Sequence, residues 1–205
     1  MKRNAGFTLI EVIVVIAVVA ILAAILTPTV VKNIDDAKIS RAKNEVQVIG
    51  AAMTSFYKDL GRWPTSNGTT GNPDYLRMLN GPGNTPHYDN SVNNHASWWV
   101  AWRNTSTVGD LMSNHLIKNN PKGSGTYPTT GEYKWHGPYL TEVKADPWGS
   151  YYACNVWYLW YRPNNQDNAV FVLSPGPDRQ MDTQFDQDVT QSPSLGDDDI
   201  GMRLK

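Results

Sequence analysis

A single cysteine, Cys154, leaves the chain without an internal disulfide, so its thiols imply no oxidising compartment. Net charge is nearly absent as well, with a formal value of −1 over 205 residues. No basic surplus exists to neutralise phosphates, which argues against a nucleic-acid binder. Catalytic signatures are missing: there is no nucleophile elbow, no phosphate-binding glycine loop and no HExxH helix. His87, His95, His115 and His136 lack metal-ligand spacing and read as surface or hydrogen-bonded residues. Phe is scarce (4), whereas Trp (8) and Tyr (10) are plentiful. Gly, Pro, Asn, Ser and Thr crowd the chain after Gly61. Because the aromatics can supply a core, that mixture predicts a loop-rich, partly β domain rather than a disordered tail.

What the chain does have is one long apolar run. Val12 to Leu26 is unbroken over 15 residues, and the 25 residues from Phe7 to Val31 are interrupted only by Thr8, Glu11, Thr27, Pro28 and Thr29. At about 1.5 Å per residue, this covers a hydrocarbon core of about 30 Å. Lys2 and Arg3 precede it and keep that end cytoplasmic. An ordinary cleaved signal has a shorter apolar region followed by small residues. Glu11 is costly in such a setting. With Lys2 and Arg3 set aside, a terminal amine created by cutting before Phe7 is the natural cation to pair with it.

Gly6-Phe7-Thr8-Leu9-Ile10-Glu11 resembles the class III signal of the type IV pilin family, which includes the pseudopilins of type II secretion. The resemblance implies cleavage after Gly6 by a prepilin peptidase and methylation of Phe7. It also implies that Glu11, unpaired in one chain, attracts the amino terminus of a neighbouring subunit. Loss of residues 1–6 removes Lys2 and Arg3 and takes the formal charge from −1 to −3. Pro28 stands where many family members carry a proline, and a proline inside a helix bends or loosens it.

Beyond Val31 the pattern turns amphipathic. Ala42, Val46, Ile49, Met53, Phe56 and Leu60 alternate at spacings of four and three, on one helical face. Gly61 and Pro64 stop the helix, which is expected from Phe7 to Leu60 with a break or softening at Pro28. Val108 to Lys118 is expected as a short helix. Tyr151 onward, Val156 to Arg162 and Ala169 to Ser174 are expected as strands, with a turn over Asn164 to Asn168. Tyr57 to Thr65 resembles the helix-ending segment of the major pseudopilins, and His136-Gly137-Pro138-Tyr139-Leu140 with Asp146-Pro147-Trp148-Gly149 resembles the pair that precedes their sheet. Trp98, Trp99 and Trp102 form an aromatic cluster that fits either head-domain core or a partner patch. Asn67 and Asn104 open glycosylation-type triplets, a short and often accidental match.

Asp178, Asp182, Asp186 and Asp188 are followed by Asp197-Asp198-Asp199-Ile200. Oxygen ligands at several loop positions suit calcium, although a solvated acidic loop fits charge patterning equally well. Ser174-Pro175-Gly176-Pro177-Asp178 and Asp197-Asp198-Asp199-Ile200 resemble the two halves of the pseudopilin calcium loop. That resemblance implies Ca2+ held by Asp178, Asp197, Asp198 and Asp199, with carbonyls near Pro175. The segment from Thr183 to Leu195 departs from it as an insertion. Disulfide closure of this region, frequent in type IV pilins, is excluded by the single cysteine.

The expected architecture is α+β: a long N-terminal helix, transmembrane in its first half, on a small antiparallel sheet with long loops. The expected divisions are a leader at 1–6, a transmembrane or filament-core helix at 7–31, an amphipathic stalk at 32–60, a variable region at 61–135, and the sheet with its acidic loop at 136–205. By resemblance, the chain is a non-enzymatic subunit of a type II secretion pseudopilus. Its implied partners are itself, minor pseudopilins, the prepilin peptidase, the inner-membrane assembly platform and, before assembly, lipid. The implied location is a single pass of the inner membrane with the head in the periplasm or outside, and then a filament. The alternatives are the major subunit of a surface type IV pilus and a membrane-anchored enzyme or receptor head.

Overall fold

The computed structural model describes residues 7–66, 76–88, 99, 108–160 and 167–205. The chain forms two compact units that meet in sequence between Lys38 and Ile39. One helix, α1 (Leu9–Leu60), contributes to both. The remaining elements are β1 (Met78–Asn80), β2 (His87–Tyr88), β3 (Gly109–Leu111), α2 (Met112–Leu116), β4 (Ala153–Cys154), β5 (Phe171–Ser174), β6 (Gln180–Met181) and β7 (Ile200–Arg203).

The stripe read from the sequence is the buried face of α1. Ala42, Val46, Ile49, Met53, Phe56 and Leu60 are all buried, together with Gly50 and Ala52. Each large side chain there contributes about 1.5–3 kcal/mol relative to exposure. Gly50 lets β7 come close, because a Cβ at that position would lie 2.7 Å from Met202 Sδ. The helix ends as expected at Gly61, whose φ of +65° only glycine adopts readily, and the Gly61 N–H closes on the Tyr57 carbonyl at 2.8 Å.

Five strands form one sheet in the order β3-β1-β4-β5-β7. The sheet is mixed rather than wholly antiparallel: β1 and β3 run parallel, while β1–β4, β4–β5 and β5–β7 are antiparallel. A second, two-stranded parallel ladder joins β2 to β6. The parallel pair is feasible because a long connection separates β1 from β3. Cys154 lies in β4 between β1 and β5, fully buried, and burial pushes its thiol pKa up.

Two expected elements differ. Val156 to Arg162 is not a strand over its described part; a 3-10 turn covers Val156–Leu159. The buried Asn155 is the cause. Its side chain donates to the carbonyls of Ala169 (2.9 Å) and Phe185 (2.8 Å) and accepts from Phe171 N–H (2.7 Å), replacing the bonds a continued ladder would make. The expected helix at Val108 to Lys118 divides into β3 and α2. Asp110 Oδ1 accepts from Leu111 N–H and Asn114 Nδ2, which turns the chain at that point.

A buried polar network ties this region to α1. His115 meets Asp110 Oδ2 at 2.9 Å through Nε2 and the Tyr127 hydroxyl at 2.6 Å through Nδ1. A neutral imidazole with its proton on Nε2 satisfies both contacts. The Tyr127 ring stands edge-on to Phe56 at 4.8 Å. Burial pushes the His115 pKa down, with Asp110 opposing. Burial alone would raise Asp110, but the bonds from His115, Lys122 N–H and Leu111 N–H outweigh it and hold that carboxyl low.

In the unfolded chain His115 titrates near about 6.5, and in the folded chain lower. The unfolded state therefore binds more protons below that pH, and stability is lost as pH falls through it. Carboxyls raised by burial, such as Asp146, act in the opposite direction, so the comparison is with a variant. Between pH 7 and 5, the wild-type urea-unfolding free energy in detergent falls more steeply than that of His115→Gln, by up to about 1.4 kcal/mol per pH unit. Parallel curves would reject this assignment.

Candidate functional site

The first unit begins with a capping box. The Thr8 N–H and hydroxyl both donate to Glu11 Oε2 at 2.8 Å, and the Glu11 N–H returns to Thr8 Oγ1 at 3.4 Å. Within one chain Glu11 accepts hydrogen bonds from Thr8 at the helix start, where the helix dipole favours an anion. Thr8 is the first residue of a T-x-x-E pattern, the sequence signature of such a box. Phe7 precedes this box, and Gly6 lies outside the described residues. The helix runs through Pro28 without interruption. Pro28 has no N–H for the Ala23–Ala24 turn, and the Thr27 hydroxyl donates to Ala23 O at 2.6 Å.

Seventeen large apolar side chains from Phe7 to Ile34 are exposed in the single chain. Covering them is favoured by about 25 cal/mol per Å² of apolar surface removed from water. The segment is long and apolar enough to cross a membrane.

The second site is the acidic loop. Carboxylate oxygens of Asp178, Asp182 and Asp198 lie within 4.8 Å of one another. Asp178 N–H donates to Asp198 Oδ2 at 3.1 Å, joining the two halves of the loop. Asp198 Oδ1 is buried without a hydrogen-bond partner, and burial, reinforced by the Asp178 charge, raises the Asp198 pKa. Asp199 is 6% exposed. Its Oδ2 accepts from Asp182 N–H (3.1 Å), Thr183 N–H (2.7 Å) and the Thr183 hydroxyl (2.5 Å), while Oδ1 is buried and unpartnered. Burial pushes its pKa up to about 7. Asp197 is exposed with φ +23° and is not one of the three converging carboxylates. Of the four residues expected as ligands, Asp178 and Asp198 converge, Asp199 braces the backbone, and Asp182 joins from the end of β6. Asp186 accepts from Gln184 Nε2, and Asp188 caps the turn Val189–Gln191.

Two glycines allow the halves to close. A Cβ on Gly176 (φ +72°) would lie 2.3 Å from Asp198 O, and one on Gly196 would lie 2.4 Å from the Asp182 carbonyl carbon. The Asp146-Pro147-Trp148-Gly149 turn supports them from below. Asp146 Oδ1 accepts from Trp148 and Ser150 N–H, and Oδ2 accepts from the Ser174 hydroxyl at 2.6 Å. Trp99 is buried in the core under Thr183, whereas Trp98 and Trp102, the Asn67 and Asn104 triplets, His95 and Asn164 lie outside the described residues. His87 and His136 are exposed, and His115 is buried and hydrogen-bonded.

The apolar helix with its capped glutamate continues into a mixed-sheet unit, an α+β arrangement. Residues 1–27 match the family model described as the prokaryotic N-terminal methylation motif. The chain is similar to Type II secretion system core protein G of Pseudomonas aeruginosa, with 38% identity over 65 residues, 32% of this chain and 46% of that protein. It is 41% identical over 61 residues to Type IV major pilin protein PilA of Myxococcus xanthus, 30% of this chain and 28% of that one. In these two matches the chain spans less than half the length of the relative. With core protein G of Klebsiella pneumoniae the likeness runs nearly end to end, 27% over 178 residues, covering 87% of this chain and 88% of the relative. No solved structure matches the chain.

Gly176→Ala and Gly196→Ala each press a methyl into backbone and destabilise the full chain by about 1–3 kcal/mol in urea unfolding. Gly123→Ala, at φ +71° with nothing within 4 Å, is the control and costs less. Equal losses at all three positions would show that the loop halves are not in close contact.

Proposed function

We propose that this chain is a non-enzymatic filament subunit of a type II secretion pseudopilus, processed between Gly6 and Phe7 and assembled through Glu11. The observation that carries the reading is the near full-length likeness to core protein G, on a chain whose apolar helix opens with a capped glutamate. Before assembly the apolar half of α1 lies in the inner membrane, with the head in the periplasm. In the filament, neighbouring helices take the place of lipid. Glu11 then exchanges its Thr8 bonds for the methylated amine of a neighbour's Phe7. Homopolymer contacts, minor pseudopilins, the prepilin peptidase and the assembly platform are the partners this reading requires.

The acidic loop is proposed to take Ca2+ through Asp178, Asp182 and Asp198, with Asp199 bracing the backbone. The converging carboxylates and the two unpartnered buried oxygens fit a hard cation with oxygen ligands. When bound, the ion supplies the positive charge that offsets like-charge repulsion and closes the loop without a disulfide.

Amino-terminal sequencing and intact mass of protein from native membranes are expected to show a chain that starts at methylated Phe7. Glu11→Ala is expected to leave the processed chain in the membrane while filaments fall at least tenfold in sedimentation and microscopy. A chain starting at Met1 in cells with active prepilin peptidase, or normal filaments from Glu11→Ala, would reject the assembly mechanism. The similarity to the Myxococcus xanthus major pilin favours a second reading, the major subunit of a surface type IV pilus. Filaments on the surface of intact wild-type cells would select it; filaments confined to the envelope select secretion.

A further inference from the structure

The carboxylates of the acidic loop are braced by a residue far away in sequence. Trp99 is fully buried, and its ring stands edge-on to Phe185 with centroids 4.7 Å apart. Its indole Nε1–H donates to the Thr183 carbonyl at 2.8 Å, and its own carbonyl accepts from the Tyr151 hydroxyl at 3.0 Å. Thr183 is the next link. Its N–H and hydroxyl both donate to Asp199 Oδ2, and Thr183 Oγ1 accepts from Gly196 N–H at 3.0 Å. In sequence, Asp182 precedes Thr183 and Asp198 precedes Asp199. The Thr183–Asp199 pair therefore sets the spacing between two of the three converging carboxylates. The second, independent sign of a ligand here is Asp199 itself, 6% exposed with Oδ1 buried and unpartnered.

We propose that Trp99 and Thr183 are positioning residues of the cation site: Trp99 holds the Thr183 carbonyl, Thr183 holds Asp199, and together they fix Asp182 against Asp198. The inference rests on the calcium reading given above. The insertion from Thr183 to Leu195 separates the two halves of the loop. The Trp99 bond anchors the first residue of that insertion to the core. A buried N–H to carbonyl bond contributes about 1 kcal/mol, and its loss leaves the Thr183 carbonyl without that donor. Thr183 is not itself a ligand in this arrangement; it acts through Asp199 and the carboxylates beside it.

The test uses the full chain in detergent micelles, titrated with calcium chloride and followed by calorimetry, tryptophan emission and thermal unfolding. Wild type is expected to bind calcium, to change its emission on binding, and to gain melting temperature. Asp198→Asn is expected to lose binding. Trp99→Phe keeps the ring but not the N–H. It is expected to bind about five- to tenfold more weakly, to lose most of the calcium-dependent emission change, and to gain less melting temperature from calcium. A Trp99→Phe protein that melts lower without calcium, yet keeps wild-type affinity and a wild-type calcium increment, would show that Trp99 only packs; the inference falls and the calcium reading stands. If wild type takes up no calcium, both fall. Should Trp99→Phe not fold, Thr183→Val decides: weaker binding supports the relay, and wild-type affinity overturns it.

Discussion

The buried stripe on α1 is the constraint to which the second unit is fitted. Val46, Ile49, Met53 and Phe56 present a continuous apolar face, and a helix face of this kind must be covered. Gly50 sets how close β7 comes, and Phe56 receives the edge-on ring of Tyr127 and the tilted ring of Tyr139. The polar network at His115 hangs from Tyr127, so the geometry of a region rich in turns is set by one aromatic contact with the helix.

Carboxylates appear at the two places where the chain has unfinished business. Glu11 sits among apolar side chains and, among the described residues, is hydrogen-bonded to Thr8. Asp178, Asp182 and Asp198 crowd together with an unpartnered oxygen among them. In each, hydroxyls or small residues stand beside the carboxylates: Thr8 at the helix start, and Thr183 with two glycines at the loop.

The helix was readable because its signals are local. An apolar run, an alternating four-and-three stripe and a closing glycine each depend on neighbours within a turn or two. Gly149 and the Asp146 turn were readable for the same reason. The β1–β3 parallel pairing was not, since register between distant short strands leaves little trace in either one. Asn155 ended a strand through bonds to Ala169, Phe171 and Phe185, which are remote in sequence. In the acidic loop, charge spacing marked only the region and the family resemblance named Asp178 and Asp198, whereas Asp182 meets them where Gly196 closes on its carbonyl. Trp99 stood in a cluster whose two readings were both open; its bond to Thr183 distinguishes it from an ordinary core ring.

Cys154, sealed in β4 between two other strands, has a consequence for how neighbouring subunits can be mapped. A fully buried thiol with a raised pKa offers almost no thiolate for exchange. The native thiol is therefore a poor target for disulfide exchange and thiol-alkylating reagents. Pairs of new cysteines placed on exposed positions of α1 would report subunit contacts by cross-linking against a blank background, and the native cysteine need not be removed first.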